Sequence, residues 1–104
     1  MIPERAVVLV PGGNKELRPG VVLRRIEMEG SVRLFVAYGT GTYRPERNPV
    51  SIDPNDRFGR ALGIYKPTHF YQGNSTICAE TSAQWDNRLC PPALFIRLRQ
   101  LMGW

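Results

Sequence analysis

Hydrophobic residues in the first third of the chain fall into short runs that end at glycine or proline. The run at residues 6–10 is rich in β-branched side chains and ends at Pro-Gly-Gly, which predicts a buried strand. Residues 20–30 begin as a continuous apolar run and then alternate polar with apolar positions. After a tight turn, residues 31–38 alternate again. The last two segments predict a β-hairpin.

Two glycine-containing segments, residues 11–20 and 39–49, separate these strands from their neighbours. Both have few apolar anchors, which is typical of surface loops, and we expect the first loop to be mobile. The short apolar stretch at residues 49–54 is bounded by prolines. Because proline cannot donate to a sheet ladder, this stretch predicts an edge strand.

The segment at residues 55–70 is ambiguous. Phe58, Leu62 and Tyr65 fit one helical face, whereas two glycines and a Lys-Pro pair favour irregular or strand structure. Residues 69–79 predict a strand, a turn at Gln-Gly-Asn and a second strand.

Residues 91–104 are the clearest helical segment. Pro91 and Pro92 suit the first turn of a helix, and Gly103 suits its end. One apolar stripe runs along the segment, formed by Leu94, Leu98, Leu101 and Met102. The whole pattern predicts a mainly β protein with a single domain, residues 1–104. We expect a small curled sheet or SH3-like barrel, with the C-terminal α-helix covering one open side.

The composition of the chain indicates one hydrophobic core and argues against a membrane span and a zinc site. The chain is 42% hydrophobic over 104 residues, which is enough for one core. No apolar run approaches the roughly 20 residues that span a bilayer, and the first residues do not fit a signal peptide, so we expect a cytoplasmic protein without membrane contact. Cys78 and Cys90 lack a metal-binding spacing, and one histidine cannot complete a four-ligand zinc site. We expect no metal or cofactor and two reduced thiols, with a disulfide bridge left open.

The positive net charge and its arginine content favour a partner that carries phosphate groups. The formal net charge is +5, and 12 of the 14 cationic side chains are arginine. Guanidinium groups suit two-point contacts with phosphate and stacking on bases. A basic balance alone is a weak indication of nucleic-acid binding, so the arrangement of the arginines matters more.

Arg18 and Thr40 are the candidate site residues. Arg18 precedes Pro19, and a proline favours extended geometry in the residue before it. We therefore expect Arg18 in an extended conformation at the start of the second strand. Thr40 closes the third strand. Because the start of one antiparallel strand lies beside the end of its neighbour, we expect both side chains at one rim. A guanidinium, a hydroxyl and exposed glycine amides suit a phosphate. The alternative is a solvated charge and a turn residue.

Aromatic residues and the lone histidine have less specific roles. Tyr43, flanked by Arg44 and Arg47, is the better candidate for stacking on a base, because Tyr38 alternates with core residues. His69 is expected to be structural or at the surface. Trp85 and Trp104 are expected to make packing or dimer contacts rather than to bind a ligand.

The segments RAVVLV, LRPGVVLRR and LFVAYGTG together resemble the N-terminal half of the MazF/PemK toxin family, also called Kid or CcdB-like. Members have an apolar first strand, a flexible loop, an Arg-Pro entering the second strand, and a Thr or Ser closing the third. The segment GRALGIYKPTHF resembles the family's next segment, and the terminal helix stands in the matching place. The resemblance runs over most of the chain, through short motifs.

This resemblance implies a dimeric SH3-like barrel that cleaves single-stranded RNA without a metal, and a cognate antitoxin that covers the RNA groove. By position, Arg18 corresponds to the catalytic arginine and Thr40 to its hydroxyl partner, and the loop at residues 15–17 would gate the groove. The expected RNA-binding residues are Lys15, Arg24, Tyr43, Arg44 and Arg47. Residues 3–5 read Pro-Glu-Arg where the family has Gly-Asp, and the third strand lacks the proline that often precedes the hydroxyl residue.

Two functional hypotheses follow. The first is a type II toxin that inhibits growth by cutting mRNA at short sequences. The second is a non-catalytic SH3-like interaction module, such as a phage or plasmid protein, that binds a host protein or a nucleic acid.

Overall fold

Six antiparallel strands form one curled sheet, a half-barrel, in the computed structural model, which describes residues 1–104. The strands are β1 (Ala6–Pro11), β2 (Leu17–Met28), β3 (Ser31–Thr40), β4 (Val50–Ile52), β5 (Thr68–Ala79) and β6 (Gln84–Leu89). The helices are α1 (Arg57–Leu62) and α2 (Pro92–Leu101), with 3₁₀ turns at Pro45–Arg47 and Glu80–Ser82. The spatial order is β4-β5-β3-β2-β1-β6, so β4 and β6 are the free edges. The mainly β class and the C-terminal helix are confirmed.

Strand alternation divides the core between the two faces of the sheet. One face carries Val7, Val21 and Phe70, which pack with Leu94 and Leu98 of α2. The other face carries a second apolar cluster, formed by Ile2, Ala6, Val8, Val10, Val22, Leu34 and Val36. Both faces are therefore buried at the centre of the sheet.

The predicted hairpin and the predicted stripe of the C-terminal helix are both confirmed. β2 and β3 pair from Gly20 opposite Tyr38 to Met28 opposite Ser31. In α2, Leu94 and Leu98 are fully buried, and Leu101 and Met102 pack against the same cluster. The short strand β4 pairs with β5 alone, as an edge strand does.

The prediction of a turn at Gln72–Asn74 is wrong. β5 runs through these residues as one strand, and both of its halves pair with β3. Gly39 lies opposite Phe70, whereas Ala37 lies opposite Ser75, so extra residues of β5 bulge between the two halves. Gly73 has a φ of +94°, which lets the backbone loop outward without leaving the sheet.

Residues 57–62 form a helix, so the irregular or strand alternative does not hold there. Asp56 caps the helix by accepting the Gly59 N–H at 2.7 Å, and Gly63 ends it with a φ of +70°. The sequence pattern also gave no indication of β6, which pairs with β1. Its burial is low along most of its length, so it lacks the apolar alternation that would mark a strand.

Neither helix has the length and apolar character that crossing a bilayer demands. Both cysteines are free thiols. Cys90 lies in the core beside α2, where burial raises its pKa to about 12, and burial also raises the pKa of the half-buried Cys78.

Glu80 fastens the N-terminal segment to the sheet. The Ile2 N–H donates to Glu80 Oε2 at 2.6 Å, and Arg25 forms an ion pair with the same carboxylate. Arg25 also donates to the Ile2 carbonyl at 2.9 Å. The Ile2 hydrogen bond, followed by Arg25, lowers the pKa of Glu80 below its ordinary value.

This lowered pKa predicts a loss of stability in acid. A carboxylate whose pKa is lower in the folded chain stabilises the fold above its unfolded pKa of about 4.3, and the stabilisation disappears as the pH falls through the folded pKa. Urea denaturation at pH 7 and near pH 3.5 should show a smaller pH dependence in Glu80→Gln than in the wild type. The exposed Glu29→Gln is the control, and an equal pH dependence in all three proteins would contradict the prediction.

Candidate nucleic-acid interface

Arg18 lies at the beginning of β2, opposite Val10 of β1. Its side chain is 23% exposed, and its Nη2 lies 3.4 Å from Oε2 of Glu16, a residue that is mostly in solvent. Gly12 packs directly against the Arg18 stem, since a Cβ at residue 12 would lie 2.8 Å from Arg18 Cγ. The loop backbone and Pro19 therefore restrict where the guanidinium points.

Thr40 lies at the end of β3, beyond the pair formed by Gly20 and Tyr38. Arg18 and Thr40 line two cavities in common, as strand polarity predicted for the two ends of this pair. Thr40 lies directly opposite His69 of β5, and His69 lies opposite Ser51 of β4. Opposed residues share a face of the sheet, so a polar row crosses three strands at this end, β3, β5 and β4.

The smaller cavity, which we call the arginine cavity, has a volume of about 230 Å³. Three arginines line it, together with hydroxyl and amide side chains and no carboxylate. Its lining residues are Gly13, Asn14, Arg18, Tyr38, Thr40, Thr42, Arg44, Arg47, Tyr71 and Asn74. Such a lining favours an anion, because guanidinium, hydroxyl and amide groups all donate hydrogen bonds.

Tyr71 holds the loop that supplies two of these arginines. Its buried hydroxyl donates to the Thr42 carbonyl at 2.6 Å and accepts the Arg44 N–H at 2.6 Å. The Arg47 guanidinium lies 4.9 Å above the Tyr71 ring and donates to the Gln72 carbonyl at 3.3 Å. One tyrosine of β5 thus orders both arginines of the loop after β3.

Removing this hydroxyl should loosen the loop. In Tyr71→Phe the Thr42 carbonyl and the Arg44 N–H each lose a partner, so we expect the free energy of unfolding to fall by about 1–2 kcal/mol. Urea denaturation measures the loss. Tyr65→Phe is the matched control, because Tyr65 is 86% exposed. Equal stability of the two variants would show that the Tyr71 hydroxyl does not hold the loop.

Tyr43, the residue expected to stack on a base, packs within its own chain. Its ring lies 4.9 Å from that of His69, at an interplanar angle of 40°. His69 is buried, and its Nδ1 lies 2.8 Å from the Ser51 hydroxyl. Neither ring lines the arginine cavity. His69 therefore has structural partners, and Tyr43 remains 59% exposed beside the cavity.

Lys15 and Arg24 lie outside both cavities. Lys15 is exposed in the loop before β2 with a φ of +66°, between two residues that do line the cavities. Arg24 is exposed and lies opposite Phe35, six residues along β2 from Arg18. At about 3.3 Å per residue this separation is about 20 Å, so the structure does not bring Arg24 to the arginine cavity.

Several cavity residues were not predicted from the sequence. Tyr38 packs against the second apolar cluster, as its alternation with core residues predicted, and its half-buried side chain also lines the arginine cavity. Its position two residues before Thr40 on the same strand face was the available signal. Thr42, Tyr71 and Asn74 also line the cavity, and their arrangement depends on the β5 bulge. Trp85 and Trp104 make packing contacts, Trp85 against the second apolar cluster and Trp104 against Phe35 at 4.7 Å.

The larger cavity, which we call the β6 groove, has a volume of about 680 Å³. Its walls are the ends of β1 and β2, the connection from α1 to β5, and β6. Exposed apolar side chains, Leu9 and Leu17, lie on one wall. Arg18 and Thr40 stand on the wall that the groove shares with the arginine cavity.

Comparisons of the chain with protein-family models, with curated proteins and with solved structures find no match. In residues 1–104, no group of three or more His, Cys, Asp and Glu side chains is placed to hold a metal ion.

Proposed function

We propose that this protein is an endoribonuclease that cuts single-stranded RNA, and that it acts as a growth-inhibiting toxin of the MazF/PemK type. The observation that carries the proposal is the arginine cavity. There, Arg18 and Thr40 share a small space with Arg44 and Arg47, and no carboxylate lines the walls. A phosphodiester is the anion that this set of donors fits best in a protein with a net charge of +5.

RNA can supply its own nucleophile, so the reaction needs no metal in this proposal. The ribose 2′-oxygen attacks the adjacent phosphorus and releases its proton to solvent. The bond from phosphorus to the 5′-oxygen of the next nucleotide breaks, and that oxygen takes up a proton. The products are a 2′,3′-cyclic phosphate and a 5′-hydroxyl end.

Four cavity residues, Arg18, Thr40, Arg44 and Arg47, have a role in this step. Arg18 stabilises the charge that builds on the phosphoryl oxygens, and the Thr40 hydroxyl donates a hydrogen bond to one of them. Arg44 and Arg47, ordered by Tyr71, hold the neighbouring phosphates of the strand. In this proposal Tyr43, which is 59% exposed beside them, stacks on a base with the face of its ring that does not pack against His69. Lys15 and Arg24 would contact only a longer RNA.

The same proposal includes an SH3-like barrel fold, a homodimer and an antitoxin that covers the groove. The curled six-stranded sheet and the C-terminal helix support this fold, as do the segments that resemble the family. A protein that cuts mRNA would work in the cytoplasm and would need an inhibitor until it is required.

A second function is favoured by the ion pair between Arg18 and Glu16. Because Glu16 lies 3.4 Å from the Arg18 Nη2, this carboxylate competes with a phosphate for the guanidinium. A non-catalytic module that binds a protein or nucleic acid would not depend on this competition.

Incubation with a long single-stranded RNA in EDTA separates the two functions. The nuclease should produce fragments with 2′,3′-cyclic phosphate ends, and DNA of the same sequence should stay intact because it lacks the 2′-hydroxyl. Intact RNA after long incubation, whether bound or free, would support the interaction module instead. A protein with Arg18→Ala, prepared in parallel, excludes a contaminating nuclease.

A further inference from the structure

The β6 groove and the arginine cavity share two lining residues, Arg18 and Thr40, at one end of the sheet. A strand whose phosphate lies at these two residues has the groove beside it as a space for a neighbouring nucleoside. Its volume of about 680 Å³ lies within the range of small-molecule sites. This volume is large enough to hold a nucleoside.

The apolar part of the lining suits a base. Leu9 and Leu17 are 41% and 51% exposed at the groove, although leucine is usually buried. Tyr65, which is 86% exposed, and the half-buried Trp85 offer aromatic surface in the same space. Stacking on such rings binds any base, so the choice among bases depends on the polar groups.

Asp86 and Arg88 provide these polar groups from β6. Arg88 Nε lies 3.5 Å from Asp86 Oδ2, and the Arg88 N–H donates to Asp86 Oδ1 at 3.3 Å. The Trp85 indole N–H donates to the Arg88 carbonyl at 2.8 Å. A Cβ on Gly63 would overlap the Arg88 guanidinium, so the Nη1 end of this group packs against the C-terminal end of α1. Both charged side chains stay about half exposed toward the groove and keep free hydrogen-bonding positions.

We propose that the β6 groove binds a guanine of the RNA next to the phosphate held by Arg18 and Thr40. The proposal rests on the proposed nuclease function for its phosphate. Guanine is the base with two adjacent donors, N1–H and N2–H, and two adjacent acceptors, O6 and N7. The donors match the Asp86 carboxylate. The acceptors match Arg88, or Lys66 on the opposite wall.

Trp85 provides a direct readout, because it lines the groove. The substitution Trp104→Phe removes the fluorescence of the second tryptophan. The fluorescence of Trp85 is then followed while each of the four ribonucleoside 5′-monophosphates is added. All four carry the same phosphate, so differences between them report the base. We expect the guanine nucleotide to bind at least about fivefold more tightly than the other three.

Two variants test the assigned groups in the same background. Asp86→Asn and Arg88→Gln should each remove most of the preference for guanine, whereas Glu29→Gln, at the β2–β3 turn, should keep it. Circular dichroism melting shows whether each variant is folded. Equal binding of the four nucleotides, or a preference that survives in folded Asp86→Asn and Arg88→Gln, would overturn the assignment.

The titration does not require cleavage, so the two proposals can fail separately. Cleavage of RNA in EDTA without any guanine preference would remove the groove assignment and leave the nuclease. A guanine preference in a protein that leaves RNA intact would remove the nuclease and leave a guanine nucleotide site.

Discussion

Replacing Arg18 by alanine is expected to lower the rate of RNA cleavage by at least about 100-fold. The guanidinium is the one charged group on the wall between the two cavities, where the reacting phosphate would lie. Loss of a single positioned donor to transition-state charge reduces rates by roughly 10²–10³. Single-turnover cleavage of a labelled RNA measures the effect, with excess protein so that weaker binding is separated from slower chemistry.

Three further variants are compared with Arg18→Ala. Arg18→Lys keeps the charge but loses the planar fork, so it should recover only part of the rate. Thr40→Val removes the hydroxyl with little change in shape and should also slow cleavage. Arg97→Ala removes one positive charge from the exposed side of α2 and should leave the rate unchanged. Equal rates for Arg18→Ala and Arg97→Ala would exclude Arg18 from the reaction.

Replacing Leu98 by alanine is expected to produce the largest loss of stability. Leu98 is fully buried in the cluster that joins α2 to the sheet. Truncation of such a leucine leaves a cavity and costs about 2–5 kcal/mol of the free energy of unfolding. A domain of 104 residues has only about 5–15 kcal/mol in total. Urea denaturation followed by circular dichroism gives both the free energy and its slope.

Ile96→Ala is the control for Leu98→Ala. Ile96 lies on the same helix but is 54% exposed, and alanine has the higher helix propensity. We expect Ile96→Ala to change the free energy of unfolding by less than about 1 kcal/mol. Similar losses in the two variants would show that α2 does not pack against the sheet through the predicted stripe.

The sequence predicted the elements whose cause is local. The hairpin of β2 and β3 follows from alternation and a two-residue turn, and α2 follows from a stripe of leucines after two prolines. The helix α1 had a signal as well, since Asp56 and Gly63 stand at its two ends. Its glycine and the nearby Lys-Pro pair obscured that signal, because both usually interrupt regular structure.

Other elements depend on partners that are distant along the chain. β6 is a strand because β1 offers it a free edge, and its own polar sequence does not show this. The β5 bulge exists because both halves of β5 pair with β3, whereas Gly73 alone suggested a turn. Pairing energy from the neighbouring strand thus outweighed the local preference for a turn.

At the candidate site, the position of Arg18 and Thr40 at one end of a hairpin was predictable from the sequence, because strand polarity and Pro19 leave little alternative. The residues around them depend on contacts between segments that are distant along the chain. Tyr71 orders Arg44 across 27 positions of the chain, and Asp86 and Arg88 of β6 reach the same rim from the opposite edge of the sheet. Hydrophobic periodicity specifies which face a residue occupies, but it does not specify which distant strand will lie beside it.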